Sequence, residues 1–298
     1  SNMALIVTDI QHYSIEDGPG IRDTIFLKGC NLRCKWCHNP ESLDTHISLG
    51  IEKNRCTGCG RCFSRCPQKV ISSNAEGIVV DREKCDGCGI CVGECFSNVF
   101  SIAGRRMELQ DVFGEVMVDR LYFENSNGGV TISGGEPFLQ WKELADLLKM
   151  FHDAGVHTIV QTNLSMPFEP EIAASLPFID LFMVDLKVFD EDLHRKWTGM
   201  GNGAILGNLE ELDRRGKDFE VHTPVVEGVN DNEEEIRRIV RFLRSFAHLS
   251  RYKLLGYHPF GLSKYDKFGI PVGYTNERQF PSRRLDQLQV LADKELEI

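Results

Sequence analysis

At 298 residues, with 42% hydrophobic and 26% charged side chains, the chain has the make-up of a globular protein able to bury a sizeable core. Its formal net charge of −10 excludes the basic surface on which non-specific nucleic-acid binding depends. No stretch approaches the ~20 apolar residues of a membrane span; Ser1-Asn2 ahead of Met3 reads as a tag remnant and no leader pattern follows, so a cytoplasmic setting without membrane partners is expected.

The eleven cysteines fall into groups of three, four and four. An odd total of tightly spaced thiols argues against a secreted disulfide framework and for metal binding in a reducing compartment. In chain order, an apolar segment leads to the turn Asp17-Gly-Pro-Gly20 and a strand from Ile21 to Lys28. The turn alone is a simple loop, but Asp17 and Arg22 flank it and the strand runs straight to the first thiols, which makes these two candidate substrate-loop residues. Then comes Cys30-Asn-Leu-Arg-Cys34-Lys-Trp-Cys37. Three thiolates at this spacing suit three irons of a [4Fe–4S] cubane, leaving the fourth iron to a small molecule. The competing reading is a zinc knuckle completed by His38.

From Gly50 to Gly104 the composition changes. Cys56, Cys59, Cys62 and Cys66 follow the C-x2-C-x2-C-x3-C pattern, and Cys85, Cys88, Cys91 and Cys95 repeat it 29 residues later. This is the two-cluster ferredoxin signature, in which each fourth cysteine serves the other cluster. Cys56, Cys59, Cys62 and Cys95 are therefore assigned to one [4Fe–4S] cluster, and Cys85, Cys88, Cys91 and Cys66 to a second, with two zinc sites as the alternative. Domain bounds follow: 1–49, 50–104 for the ferredoxin-like insert, and 105–298.

Helix and strand then alternate, the pattern of parallel α/β architecture. Helices are expected near 109–121, 139–154, 170–176, 191–197, 204–215, 233–246 and 277–296. Strands are expected near 129–133, 156–161, 178–187, 219–225 and 252–257. With the strand before the cysteine triplet these make six β/α units, too few for a closed eightfold barrel and enough for an open, partial (β/α)6 one. Such folds carry chemistry at the carboxyl ends of their strands. Gly134-Gly135-Glu136-Pro137 ends one strand, where it serves either as a plain strand-to-helix turn or as backbone open to a ligand. Asp185 and Lys187 end another and share a face, as an ion pair or as a site. His222 and His258 are weaker candidates.

Asp17-Gly-Pro-Gly20, the cysteine triplet, His38-Asn-Pro-Glu41, Ser133-Gly-Gly-Glu-Pro137 and Met183-Val-Asp-Leu-Lys187 together resemble the glycyl radical enzyme activating enzymes of the radical S-adenosylmethionine (SAM) superfamily. The insert resembles the subgroup that carries two extra clusters. The resemblance implies reductive cleavage of SAM to methionine and a 5′-deoxyadenosyl radical, which takes hydrogen from a backbone glycine of a partner glycyl radical enzyme. It implies that Cys30, Cys34 and Cys37 hold the SAM cluster and that Trp36 packs near the adenine. Gly134, Gly135 and Glu136 would contact the methionine end of SAM, Asp185 and Lys187 its ribose and carboxylate, and His258 the nucleoside. The family's cation-binding Asp-Thr segment reads Gln161-Thr162 here, one carboxylate short, and a basic residue expected on the 219–225 strand is His222. A flavodoxin- or ferredoxin-type electron donor and a monomeric state complete the expectation. The rivals are a radical SAM enzyme acting on another peptide or a small molecule, and a non-catalytic iron–sulfur electron carrier.

Overall fold

A computed structural model describes residues 3–296, so the two residues read as a tag remnant lie outside the described residues. The strands are β1 (Ala4–Ser14), β2 (Arg22–Leu27), β3 (Ser48–Ile51), β4 (Ile71–Asn74), β5 (Gly77–Val80), β6 (Phe100–Ala103), β7 (Arg105–Glu108), β8 (Gly129–Gly134), β9 (His157–Thr162), β10 (Leu181–Asp185), β11 (Phe219–Val225) and β12 (Leu249–Gly256). The α-helices are α1 (Arg61–Arg65), α2 (Ile90–Glu94), α3 (Leu109–Met117), α4 (Arg120–Ser126), α5 (Trp141–Asp153), α6 (Glu191–Thr198), α7 (Gly203–Arg214), α8 (Glu233–Leu243), α9 (Leu262–Phe268) and α10 (Ser282–Leu296).

One sheet of eight strands, ordered β12-β11-β10-β9-β8-β2-β1-β7, dominates the molecule. From β2 to β12 the neighbours are parallel, while β1 runs antiparallel to both β2 and β7. Val130, Ile132, Ile159, Val160, Phe182 and Val184 are fully buried, as befits parallel strands covered on both faces. The covering helices are amphipathic. Leu144, Leu147, Leu148 and Phe151 give α5 its buried stripe, and Ile236, Ile239, Val240 and Leu243 do so for α8.

Side chains that imitate backbone support the sheet at its β12 edge and at the β1–β2 seam. Gln289 of α10 accepts a hydrogen bond from Leu254 N (2.7 Å) and donates to Tyr252 O (3.0 Å), closing the free edge of β12. Gln140 does the same between β1 and β2, accepting from Ile6 N at 2.8 Å and donating to the carbonyls of Ile6 and Lys28.

The six expected parallel strands are present, and β1 and β7 add an antiparallel flank. The helix expected over 109–121 divides at Asp119, a buried residue whose carboxylate accepts from Tyr13 Oη at 2.8 Å and faces His12. The last helix starts after Pro281 rather than near 277.

Between β2 and β8 the cysteine-rich segment forms its own small core of Leu49, Ile51, Val70, Ile71, Ile78, Val99 and Phe100 around Cys62 and Cys91. The sequence repeat is a structural one. Each half contributes a one-turn helix entered from a left-handed glycine, Gly60 (φ 73°) before α1 and Gly89 (φ 77°) before α2. The pairs β3–β6 and β4–β5 complete it. Helix α9 ties this unit to the sheet, through Lys267 to Glu52 at 3.0 Å and through Arg82, which donates to the carbonyls of Leu49 and Lys267.

Candidate active site

Strand β2 delivers the chain to the cysteine triplet, and backbone hydrogen bonds fix the loop. Gly29 N donates to Ser42 O (2.8 Å), Cys30 N to Leu43 O (3.1 Å) and Cys37 N to Cys34 O (3.1 Å). Tyr265 of α9 donates its hydroxyl to Cys37 O at 2.8 Å. Trp36 is buried beside Trp197, their ring centroids 6.2 Å apart.

The three thiols line a cavity of about 580 Å³ at the carboxyl ends of the parallel strands. Trp36, His38, Gly134, Gly135, Gln161, Asn163, Asp185, Lys187, Lys253 and His258 share its wall. No fourth cysteine lines it among the described residues. Asn163, at the end of β9, places its amide 3.9 Å from Cys30 Sγ and 3.1 Å from Asn31 Oδ1. Strand-end position was the signal for Asn163, but an amide has no charge or metal-ligand spacing to single it out.

Gly134 and Gly135 have a sharper purpose than an open turn. A Cβ on Gly134 would lie 2.2 Å from Leu27 O, and one on Gly135 would lie 2.0 Å from Gly29 O. Their neighbourhood is a β2–β8 seam in which Gly135 N donates to Leu27 O (2.9 Å) and Glu136 N to Gly29 O (2.7 Å). Those two amides are thus used by the protein itself. Glu136 is fully buried and off the cavity wall. Its carboxylate accepts from Thr162 Oγ1 (2.7 Å), Asn163 N (2.8 Å) and Phe138 N (3.1 Å), pinning the end of β8 to that of β9. Burial pushes its carboxyl up to about 7 against those three hydrogen bonds.

Asp185 and Lys187 form an ion pair of 3.1 Å on the cavity wall. Burial opposes the Lys187 ammonium, but Asp185 and the nearby thiols of Cys34 and Cys30 outweigh it and hold its pKa above the usual range. Also on the cavity wall, His38 and His258 stack at 3.9 Å, and Phe260 lies 4.7 Å from His258. His38 Nε2 and His258 Nδ1 are buried without a hydrogen-bond partner. Burial lowers both, His38 to about 4, so both are neutral near pH 7. His222 is not on the cavity wall and turns its Nε2 to Glu220 at 3.2 Å.

Asp17 and Arg22 are brought to the other end of the sheet. Arg22 is fully buried, donating to Thr131 Oγ1 (2.8 Å), Val130 O (2.6 Å), His157 O (3.1 Å) and Pro19 O (3.2 Å). Asp17 accepts from the hydroxyls of Ser14 and Thr24, and a Cβ on Gly18 would meet Ile159 at 2.5 Å. The turn is therefore tucked under the inner face of the sheet at its amino end.

The donors fit a cluster better than a single ion. Burial pushes the thiol of Cys30 up to about 11 and that of Cys34 to about 12, so three thiolates here need a strongly positive centre to form. Among the described residues no three cysteine sulfurs lie within 4.8 Å of one another. Tetrahedral zinc, with each thiolate at about 2.3 Å, would draw them to about 3.8 Å. In the cysteine-rich unit, Cys56, Cys59, Cys62 and Cys95 line one small cavity, and Cys66, Cys85, Cys88 and Cys91 another.

Residues 24–243 match the family model of the radical SAM superfamily. The chain is 38% identical over 275 residues to the benzylsuccinate synthase activating enzyme of Thauera aromatica, covering 90% of this chain and 83% of that protein. It is 40% identical over 266 residues to the trans-4-hydroxy-L-proline dehydratase activating enzyme of Clostridioides difficile, covering 88% and 87%. A radical SAM methyltransferase structure from Sphaerobacter thermophilus shares the fold at a TM-score of 0.54 and 14% identity, over 97% of this chain and 74% of that one.

Proposed function

The chain belongs to the radical SAM superfamily, and from its activating-enzyme relatives we infer that it is the activating enzyme of a glycyl radical enzyme. Its reaction is the reductive cleavage of SAM to methionine and a 5′-deoxyadenosyl radical that takes hydrogen from a partner's backbone glycine, the electron being supplied by a [4Fe–4S] cluster when bound.

Our reading of the residues rests on one observation above the others: three cysteines face a cavity with no fourth among the described residues, and its wall also carries a charged pair and the stacked rings of His38 and His258. Cys30, Cys34 and Cys37 would hold three irons. Lys187 offsets the charge of the thiolates and, with Asp185, meets the polar end of SAM. The stacked rings of His258 and His38 line the place of the nucleoside, and Trp36 supports the loop beneath it. Gly134 and Gly135 admit the close seam behind the methionine end, and Glu136 locks that seam in place. The experiment is anaerobic incubation of the reconstituted protein with SAM, reductant and a panel of candidate partners. The expected result is a glycyl radical doublet by EPR on one of them. Deoxyadenosine formation with no doublet on any partner would return the chain to a radical SAM enzyme of another substrate.

The same proposal takes the eight-stranded sheet as an open, partial (β/α)6 barrel and residues 50–104 as a ferredoxin-like insert holding two further [4Fe–4S] clusters. The grouping of the eight cysteines into two cavities supports it. We read the insert as the entry for electrons from a flavodoxin- or ferredoxin-type donor. The second foursome lies against the segment that follows the SAM-cluster loop: a Cβ on Gly87 would meet Ile47 O at 2.9 Å, and Leu49 lines that cavity.

A further inference from the structure

Asn163 is buried at the end of β9, between the carboxylate of Glu136 and the first thiol of the triplet. Its side-chain oxygen accepts from Ser165 N at 3.0 Å and from Ser165 Oγ at 2.6 Å. A backbone N–H can only donate, so the contact with Ser165 N fixes which end of the amide is oxygen. The NH2 end therefore faces the cysteine loop. It carries two hydrogens and has two acceptors in reach, Asn31 Oδ1 at 3.1 Å and Cys30 Sγ at 3.9 Å. Asn31 in turn donates to Ser165 Oγ at 2.7 Å, which closes a ring of hydrogen bonds through Asn163, Asn31 and Ser165. The ring takes one hydrogen of the amide and leaves the other for the thiol.

Several contacts hold this orientation. Leu164, the next residue, is fully buried and lies in the left-handed region (φ 55°), which a leucine keeps only where its surroundings fix it. Leu164 N donates to Thr162 Oγ1 at 2.8 Å, and Asn208 of α7 donates to the carbonyls of Leu164 and Met166, both at 2.8 Å. The turn so held brings Ser165 back onto Asn163. Asn163 N meanwhile donates to Glu136 Oε2 at 2.8 Å. The residue thus aims its main-chain donor at one acidic group and its side-chain donor at another. Burial and then the Glu136 carboxylate oppose a thiolate at Cys30, and an N–H beside the sulfur acts against both.

We propose that Asn163 is a positioning residue whose amide donates to the Cys30 thiolate and so favours the reduced form of the cluster which that thiolate helps to hold. This rests on the reading of Cys30, Cys34 and Cys37 as the ligands of the SAM cluster. A donor at a ligand sulfur stabilises the more negative state of a cluster. The test is EPR of the anaerobically reconstituted full chain, poised at the potential that half-reduces the wild-type SAM cluster, following the part of the signal that changes when SAM is added. In Asn163→Ala the ratio of reduced to oxidised SAM cluster should fall about tenfold, equivalent to about 59 mV for one electron. In Asn163→Asp, which keeps an acceptor for Ser165 but turns a carboxylate to the sulfur, it should fall further. Asn31→Ala breaks the ring while leaving the N–H on the thiolate, and should move the ratio far less. An unchanged ratio in Asn163→Ala, an equal fall in Asn31→Ala, or loss of the SAM-responsive signal from both Asn163 variants would each overturn the proposal, the last by making the residue structural. A wild type with no SAM-responsive signal would sink the reading of the triplet on which it rests.

Discussion

His12 brings a single imidazole nitrogen, Nδ1, to 2.9 Å from Asp23 and 2.7 Å from Asp119. One N–H cannot serve two carboxylates, so the cluster is at its best with a second proton on board. Burial accordingly pushes Asp23 up to about 6, with His12 and Tyr13 N pulling the other way. A carboxyl raised in the folded state contributes stability that is complete below its unfolded pKa, near 3.9, and is lost as pH climbs through the folded value. Between pH 5 and 7 the wild type should therefore lose roughly 1 kcal/mol that Asp23→Asn does not lose. Urea midpoints for the two proteins across that range check this, and parallel curves would remove it. Gly135 gives a second prediction at the same scale. With only 2.0 Å between a new Cβ and Gly29 O, Gly135→Ala must push the cysteine loop off its seam. On the proposal that the insert holds two further clusters, iron content should fall from about twelve to about eight per chain; retention of all the iron would mean that the seam yields elsewhere.

The elements were legible wherever one period dominated. The α8 stripe of Ile236, Ile239, Val240 and Leu243 follows Asn232, whose side chain accepts from Glu235 N at 2.9 Å, and both stripe and cap can be read from the residues alone. Replacing Asn232 by Ala should cost about 1 kcal/mol, seen as a lower denaturation midpoint with an unchanged slope. An unaltered midpoint would mean that Glu235 N finds another acceptor. Legibility fails where tertiary partners decide. Nothing local announces that Asp119 interrupts α3–α4, because the reason is Tyr13 and His12, more than a hundred residues earlier. Nor does Arg22 reveal from its place beside a Gly-Pro-Gly turn that the carbonyls of Val130 and His157 will bury it. The cysteine groups were readable because ligand spacing is a local constraint, whereas Asn163, Lys253 and the unpartnered nitrogens of His38 and His258 gain meaning only from what the sheet places opposite them.

At the scale of the whole molecule, the question is what joins the insert to the cavity. Helix α9 touches both: Tyr265 holds Cys37 O, Lys264 reaches Asn39 and Glu41 at 2.9 and 2.6 Å, and Lys267 pairs with Glu52. The cavity of Cys66, Cys85, Cys88 and Cys91 includes Leu49, on the strand that follows the triplet loop, whereas that of Cys56, Cys59, Cys62 and Cys95 includes Arg61 and Phe63 and is followed by the exposed Phe96. If the insert conducts, electrons enter at the outer foursome and leave by the inner one. Cluster potentials span about −700 to +450 mV, so geometry and not residue type carries this direction. Cys56→Ala and Cys85→Ala should each slow SAM cleavage driven by a flavodoxin- or ferredoxin-type protein far more than cleavage driven by dithionite, a small reductant able to reach the SAM cluster directly. The comparison requires the SAM cluster intact, verified by its EPR signal in the presence of SAM. Equal losses with both reductants would reduce the insert to a docking or structural role, with α9 serving as its anchor rather than as the brace of a conducting path.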